Sequence, residues 1–156
     1  MRSPARKLTV AEAVELYASF YDRRADTEVL IDRLGLHEKR NARYRKLSGG
    51  QKQRLSIALA LVGNPRLVVF DELTTGLDPA ARRESWKLVE ELRADGVTVL
   101  LVTHYADEAE RLCDRVALVQ AGRVAACGRP AELIEASHAS HATLDDAIVA
   151  LTTGEA

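Results

Sequence analysis

The chain has 156 residues, of which 47% are hydrophobic and 29% are charged, and its formal net charge is −1. That length suffices for one domain with a buried core, and the near-neutral charge argues against general nucleic-acid binding through positive charge. No apolar run approaches the roughly 18 residues that a transmembrane helix needs, and no signal peptide is recognisable. We therefore expect a soluble protein with no membrane span of its own.

The charge is distributed unevenly along the chain. Residues 1–55 carry 13 basic and 7 acidic side chains, whereas the remaining residues carry 9 and 16. The basic N-terminal third fits either a solvated helix surface or a face turned towards an anionic partner or nucleotide. Cys113 and Cys127 form no C-x-x-C motif, which indicates a reducing compartment and hence a cytoplasmic location.

The first 65 residues predict helices and no convincing strand. Thr9 and Glu12 have the spacing of a capping box, which predicts a helix over residues 9–20. A second helix is predicted over residues 27–34, ending at a glycine. Residues 37–46 are charged and predict a loop.

The stretch LSGGQ, residues 47–51, precedes a third predicted helix. Ser48 and Gln51 have capping-box spacing, and Gly63-Asn64-Pro65 is typical of a helix end. Such a helix start directs several backbone N–H groups and the positive end of the helix dipole outwards, which suits an anion. The two glycines add no side chain that would keep a phosphate at a distance. The alternative is simply a well-capped amphipathic helix, and the stretch alone favours neither.

After Pro65 the pattern changes to strands that alternate with helices. The continuous apolar runs at residues 67–70 and 97–103 predict strands buried on both faces. Between them, Asp78 and a following proline predict the start of a helix that continues to about Ala94. This order predicts an α/β domain with a parallel sheet, preceded by a helical subdomain.

The last third of the chain predicts smaller elements. A short helix is expected over residues 105–113, followed by a hairpin with strands at residues 116–119 and 124–127. Two short helices are predicted near residues 131–136 and 144–151, joined by a polar linker.

Polar side chains collect where the two apolar strands end. Asp71-Glu72 follows the first strand and Thr103-His104 follows the second, and ligands of parallel sheets bind at the carboxyl ends of the strands. Because side chains alternate along a strand, one carboxylate can face a metal and the other the reaction site. Asp71 then suits Mg²⁺ held through water, and Glu72 suits a base that orients water. The alternative is that both acids lie at a solvated loop and that His104 is structural.

Taken in order, LSGGQ, LVVFDE, TTGLDP and VTH resemble the motifs of the ATP-binding cassette (ABC) ATPase family. The resemblance extends from about Leu8 to Leu151. It implies an α/β fold, namely the C-terminal part of a P-loop NTPase (RecA-like) parallel sheet preceded by a helical signature subdomain. The implied division is a signature subdomain over residues 1–65, a catalytic-core portion over 66–130 and C-terminal helices over 131–156.

The same resemblance implies roles for individual residues, with ATP and Mg²⁺ as cofactors. The signature residues Ser48, Gly49, Gly50 and Gln51 would contact the γ-phosphate of ATP held by an opposite subunit. Asp71 would be the Walker B carboxylate near Mg²⁺, and Glu72 would be the catalytic base. Asp78 would lie in the loop that couples the two subunits, and His104 would be the switch histidine.

Finer sequence features resemble the ATPase subunits of bacterial exporters of the daunorubicin-resistance type, which drive a separate permease for drugs, lipids or polysaccharides. The implied partners are a transmembrane permease and a second ATPase subunit in a head-to-tail dimer. No nucleic-acid partner is expected, although chromosome-maintenance ATPases share the signature and Walker B motifs. The implied location is the cytoplasmic face of the cell membrane, reached through the permease.

The family's adenine-stacking aromatic residue, its glutamine loop and its phosphate-binding loop have no candidate in this chain. The phosphate-binding loop GxxxxGK[ST] requires a Gly-Lys pair, and none of the five lysines follows a glycine. Leu73 also stands where the family usually has proline. The chain therefore resembles the C-terminal part of an ABC ATPase, from a truncated gene, a late start codon or a split protein. Three functions remain open: an ATPase subunit of a transporter, a fragment without catalysis of its own, and an interaction module that donates the signature to a full-length partner.

Overall fold

The computed structural model describes residues 7–137 and 143–153, in which a helical N-terminal stretch precedes a region containing both strands and helices. In that part the helices are α1 (Val10–Ala18), α2 (Thr27–Arg33), α3 (Gly49–Leu61), α4 (Pro79–Ala94), α5 (Ala106–Leu112), α6 (Pro130–Ala136) and α7 (Leu144–Thr153). The strands are β1 (Leu67–Asp71), β2 (Thr98–Val102), β3 (Val116–Gln120) and β4 (Arg123–Gly128). The predicted α/β class is confirmed.

The chain divides into two compact units between Leu100 and Leu101. The first contains α1 to α4, β1 and the start of β2, and the second contains the elements from α5 onwards. The predicted boundaries after residues 65 and 130 concern functional subdomains and stay a prediction. Among the described residues, none of the helices combines the length and the apolar character that crossing a bilayer requires.

Side-chain caps start the helices of the first unit. Thr9 and Glu12 form the predicted capping box of α1, and the Asp26 carboxylate accepts hydrogen bonds from two backbone N–H groups of α2. Residues 37–46, predicted as a loop, contain two short 3₁₀ turns (His37–Lys39 and Tyr44–Lys46). The helices bury one apolar stripe each, with core side chains that include Val10, Val14, Leu30, Ile31, Leu55 and Ile57.

The end of α3 differs in detail from the sequence expectation. The residue in the left-handed region is Asn64, with a φ of 49°, rather than Gly63. Gly63 serves a packing purpose instead, because a Cβ atom there would lie 2.6 Å from the ring of Tyr21. The glycine therefore admits an aromatic side chain, and Asn64 makes the turn, which asparagine tolerates better than most residues.

The strands β1 and β2 pair in a two-stranded sheet and are joined by α4. Burial alternates along β1, where Val68 and Phe70 are buried while Leu67 and Val69 are 55% and 53% exposed. The prediction of burial on both faces is therefore wrong for the described residues. A continuous apolar run is typical of a strand with both faces buried. In the described residues, other side chains pack against only one face of β1.

The second unit is built around the hairpin of β3 and β4. Its turn, Ala121-Gly122, has positive φ at both residues (47° and 75°), as a two-residue hairpin turn of type I′ requires, and the predicted hairpin is confirmed. Its core contains Ala109, Leu118, Leu133 and Leu144. The predicted linker between α6 and α7 falls largely on residues 138–142, outside the described residues.

Candidate functional site

The start of α3 carries the LSGGQ stretch, and its capping box is closed. The Ser48 Oγ atom accepts a hydrogen bond from the Gln51 backbone N–H (3.2 Å), and the Ser48 backbone N–H donates to Gln51 Oε1 (3.0 Å). The N–H groups of Gly49 and Gly50 occupy the first two helical positions, where no intrahelical acceptor exists. The first turn contains no acidic residue, so this helix end keeps its positive partial charge and can accept an anion.

The start of α4 lies beside the start of α3. A Cβ atom at Gly49 would lie 3.8 Å from Leu77 Cδ2, and one at Gly50 would lie 3.3 Å from the Cβ atom of Ala81. The first distance is an ordinary contact, whereas the second is tighter than most. Gly50 therefore lets the two helices approach closely, which places the signature residues next to the loop that carries Asp78.

Asp78 is the N-cap of α4. One carboxylate oxygen accepts hydrogen bonds from the N–H groups of Ala80 and Ala81, both at 3.0 Å. These bonds, chiefly the one from Ala81, hold the pKa of the carboxyl below its ordinary value. The negative charge of Asp78 therefore offsets the dipole of α4, and of the two adjacent helix starts only that of α3 is open to an anion.

The predicted carboxylates Asp71 and Glu72 lie at the end of β1. Asp71 is the last strand residue and is exposed, like Leu67 and Val69. Glu72 has a φ of 51°, so the alternation of the strand stops before it and the two carboxylates are not related by a simple pleat. A left-handed glutamate costs about 1 kcal/mol or more, and such strain is frequent at functional sites.

The segment after Glu72 is a tight, anchored turn. The N–H of Thr75 donates to the Glu72 carbonyl oxygen (3.2 Å), and that of Leu77 donates to the Thr74 carbonyl oxygen (3.1 Å). Leu73 and Thr74 are both buried. Leu73, which stands in the place of a proline, therefore anchors the turn by burial, and the turn connects Glu72 to Asp78 within the same unit.

Asp71 and Glu72 do not form a metal cage by themselves. Within the described ranges, no group of three or more histidine, cysteine, aspartate or glutamate side chains could hold a metal ion. Mg²⁺ needs no such group, because it binds through one or two carboxylates together with water and substrate phosphates. An exposed carboxylate at the carboxyl end of a strand fits that use.

His104 belongs to the second unit, immediately after β2. Its ring lies 4.1 Å from the ring of Tyr105, centroid to centroid, and the N–H of Tyr105 donates to Thr103 Oγ1 (3.1 Å). The structure thus brings together Ser48, Gly49, Gly50, Gln51 and Asp78 in the first unit. The expected position of His104 opposite Asp71 and Glu72 stays a prediction.

Sequence reasoning missed one interaction at this site. The guanidinium of Arg54, on α3, donates to Glu84 Oε2, on α4, at 2.7 Å, and lies 3.5 Å from the carbonyl oxygen of Gly35. Arg54 and Glu84 each follow the N-cap of their helix by six positions. The equal spacing from the two N-caps was visible in the sequence. It predicts a contact between Arg54 and Glu84 only once the two helices are known to start side by side.

Comparisons with known proteins agree with the motifs. Residues 3–75 match the family described as ABC transporter. The Nod factor export ATP-binding protein I of Rhizobium johnstonii is 45% identical over 134 residues, covering 83% of this chain and 43% of that protein. The protein of the same name from Burkholderia thailandensis is 43% identical over 132 residues, covering 81% of the chain and 43% of that protein. The chain thus spans less than half the length of these relatives.

Solved structures give the same result. A structure of the ATP-binding subunit of an ABC transporter matches with a TM-score of 0.78 and 30% identity, over 94% of this chain and 63% of that one. A dimeric structure of a bacterial ABC transporter cassette matches with a TM-score of 0.68 and 31% identity, over 78% and 56%. These likenesses confirm the predicted P-loop NTPase fold.

Proposed function

Because the chain belongs to the ABC transporter ATP-binding family, we propose that it provides part of an ATP-hydrolysing exporter subunit. The observation that carries this proposal is the start of α3, where a neutral capping box and two glycines leave an electropositive helix end open. In the proposal, Ser48, Gly49, Gly50 and Gln51 receive the γ-phosphate of ATP held by an opposite subunit.

The other site residues act on the hydrolysis step. Glu72 accepts a proton from the attacking water, and His104 donates a hydrogen bond to the γ-phosphate. Asp71 would hold Mg²⁺ through water, and the chemistry that Mg²⁺ supplies when bound is neutralisation of phosphate charge. Asp78 lies beside the signature residues through the contacts of Leu77 and Ala81, which suits a role in coupling the two subunits.

The lysine of the phosphate-binding loop comes, in this proposal, from outside these 156 residues, since they contain no Gly-Lys pair. That observation also favours a second candidate function, in which the chain is a non-catalytic module that donates its signature to a full-length partner. Both candidates place the chain at the cytoplasmic face of the membrane, bound to a transmembrane permease. The relatives are named for Nod factor export, which supports export as the direction of transport, and we propose a drug or a lipid as the substrate.

Calorimetry with Mg-ATP on the purified chain is the first test. We expect no measurable binding, because the backbone loop and lysine that hold the β- and γ-phosphates are missing. Micromolar binding would instead show that the chain holds nucleotide by another route, and would reject the proposal that the phosphate-binding lysine must come from outside these residues.

Glu72→Gln tests the catalytic role directly. The variant is made in a chimaera that joins the preceding segment of the Rhizobium johnstonii relative to residues 7–156. We expect kcat for ATP hydrolysis to fall about 10²-fold or more, while ATP binding persists. Glu91→Gln, an exposed change on α4, is the matched control and leaves kcat unchanged. Equal kcat values for the chimaera and its Glu72→Gln variant would remove Glu72 from this role.

A further inference from the structure

Helices α3 and α4 contact each other at three successive positions, beginning at their N-terminal ends. We call this row of contacts the seam. Gly49 lies against Leu77, Gly50 against Ala81, and Arg54 against Glu84. Residues three or four positions apart share a helix face, so Gly50 and Arg54 present one face of α3, and Ala81 and Glu84 present one face of α4. The first two contacts are apolar and lack directionality. The third is a charged hydrogen bond of 2.7 Å, and its directionality helps to specify how the helices are aligned along their axes.

Arg54 is also the point where a third element meets the seam. Its guanidinium faces the carbonyl oxygen of Gly35, the residue that closes α2. Gly35 has a φ of 63°, and a Cβ atom there would lie 2.9 Å from Arg54 Nη1. The left-handed backbone conformation favours glycine, whereas a Cβ atom at this position would meet only the flexible end of the Arg54 side chain, which could move aside. Gly35, which has no side chain, lies next to the guanidinium of Arg54.

An exposed ion pair contributes little to global stability, with a median of about 0 to 1 kcal/mol. The side chain of Glu84 is 56% exposed, although that of Arg54 is only 27% exposed. Stability therefore does not account for the arrangement. A geometric role does, because Arg54 lies about 9 Å along the axis from the helix start, and a shift of one residue at Arg54 would move the start by about 1.5 Å and turn it by about 100°.

We infer that Arg54 is a positioning residue: through Glu84 and Gly35 it holds the start of α3 in the alignment in which the N–H groups of Gly49 and Gly50 face a phosphate. The inference rests on the proposed function, because the phosphate is the one that the signature residues are proposed to receive. A misplacement of about 1 Å at a binding group can reduce a rate about 10²-fold, so the effect of losing Arg54 appears in phosphate recognition before it appears in stability.

Amide hydrogen exchange on the intact chain tests the alignment without any ligand. The reporters are the N–H of Gln51, bound to Ser48 Oγ, and the N–H of Lys52, bound to the Ser48 carbonyl oxygen. In Arg54→Met we expect these two amides to exchange at least about fivefold faster, with the amides of α1 unchanged. The charge-swapped pair R54E/E84R restores part of the protection, because it re-forms the ion pair but places no donor at the Gly35 carbonyl oxygen. Arg83→Gln, an exposed neighbour of Glu84, is the matched control and has no effect.

A second measurement links the alignment to the phosphate. The probe is the Rhizobium johnstonii relative, made unable to hydrolyse ATP and loaded with ATP or with ADP, and binding of the chain is followed by fluorescence anisotropy. We expect the wild-type chain to bind the ATP-loaded probe preferentially and Arg54→Met to weaken that binding about tenfold or more. R54E/E84R should recover part of the loss, because it restores the ion pair but not the hydrogen bond to Gly35. Arg54→Lys and Glu84→Gln give intermediate losses and replace Arg54→Met if that variant unfolds.

The outcomes separate the two proposals. Equal exchange at Gln51 and Lys52 in the wild type and in Arg54→Met overturns the inference whatever the binding result. Faster exchange with unchanged binding to the ATP-loaded probe also overturns it, because the alignment then has no consequence for phosphate. If the wild-type chain shows no preference for the ATP-loaded probe, the proposed function is contradicted. The exchange data alone then test whether Arg54 holds the start of α3 in place.

Discussion

Two helix starts lie side by side in the first unit and are capped by different chemistry. The start of α3 is capped by the neutral hydroxyl of Ser48, and that of α4 by the carboxylate of Asp78. Both caps satisfy backbone N–H groups, so both stabilise their helices. Only the carboxylate also cancels the positive end of the helix dipole. Capping and anion binding are therefore separable properties, and the choice of cap decides which helix end stays electropositive.

The difference extends to the number of N–H groups that remain available. In α4 the first helical residue is Pro79, which has no N–H, and Asp78 accepts from the next two residues. In α3 the first two helical residues are Gly49 and Gly50, which keep their N–H groups and have no side chains of their own. A ligand phosphate thus meets donors at α3 and a carboxylate at α4.

Ser48→Asp should have the largest effect, because it gives α3 the same carboxylate cap as α4 and so removes the difference between the two helix starts. Aspartate caps a helix as well as serine does, so the midpoint of urea unfolding should change little. The added carboxylate should weaken binding to the ATP-loaded relative at least about 100-fold, since like charges placed together cost several kcal/mol. Ser56→Asp adds the same charge further along α3 and serves as control. Unchanged binding by Ser48→Asp would contradict the assignment of α3 as the phosphate-binding end.

A pair of alanine substitutions sharpens the comparison of the two glycines. Gly49→Ala meets an ordinary contact with Leu77, whereas Gly50→Ala places its Cβ 3.3 Å from that of Ala81. We expect Gly49→Ala to stabilise the chain by about 0.5 kcal/mol through helix propensity, and Gly50→Ala to lose that gain and separate the helices. Urea unfolding of both variants measures the difference, which should be about 1 kcal/mol. Equal gains would show that the seam is looser than the distances indicate.

Asp78→Asn has the smallest expected effect and acts through pH. The hydrogen bonds from Ala81 and Ala80 lower the pKa of Asp78 below 3.8 in the folded chain. Its stabilising contribution is therefore fully present above the unfolded pKa and is lost as the pH falls through the lower, folded pKa. Asparagine has no such dependence, so the variant should lose part of the acid-side slope of stability while remaining close to wild type at neutral pH.

Urea midpoints between pH 2 and 6 provide the measurement. A residual slope is expected, because hydrogen bonds donated by Thr9 and Thr143 lower the pKa values of Glu12 and Asp146 in the same way. An identical acid slope in Asp78→Asn and the wild type would mean that the carboxylate does not make these bonds in solution.

Local patterns predicted the helix starts well. The capping boxes of Thr9 and Ser48, the Asp78-Pro79 start and the hairpin turn at Ala121-Gly122 were all visible in the sequence, because each depends on residues within four positions of one another. The roles of Asp71, Glu72 and His104 came from resemblance, and they stay proposals.

Contacts between residues far apart in the chain could not be predicted from the sequence. The exposed face of β1 could not be predicted from an apolar run, since burial depends on what packs against a strand. The left-handed residue is Asn64, and Gly63 leaves room for the ring of Tyr21, a contact with a distant residue that no local pattern reports. The ion pair of Arg54 and Glu84 joins residues 30 positions apart, and no short-range periodicity reports on such a distance.

The sequence by itself determined the caps, and with them the charge of each helix end, because capping is a local hydrogen-bonding event between a side chain and the next two or three N–H groups. Only the tertiary structure decided that the two differently capped ends are neighbours and that Arg54, Glu84 and Gly35 meet beside them. The physical reason is that helix–helix alignment follows from side-chain packing between segments far apart in the chain.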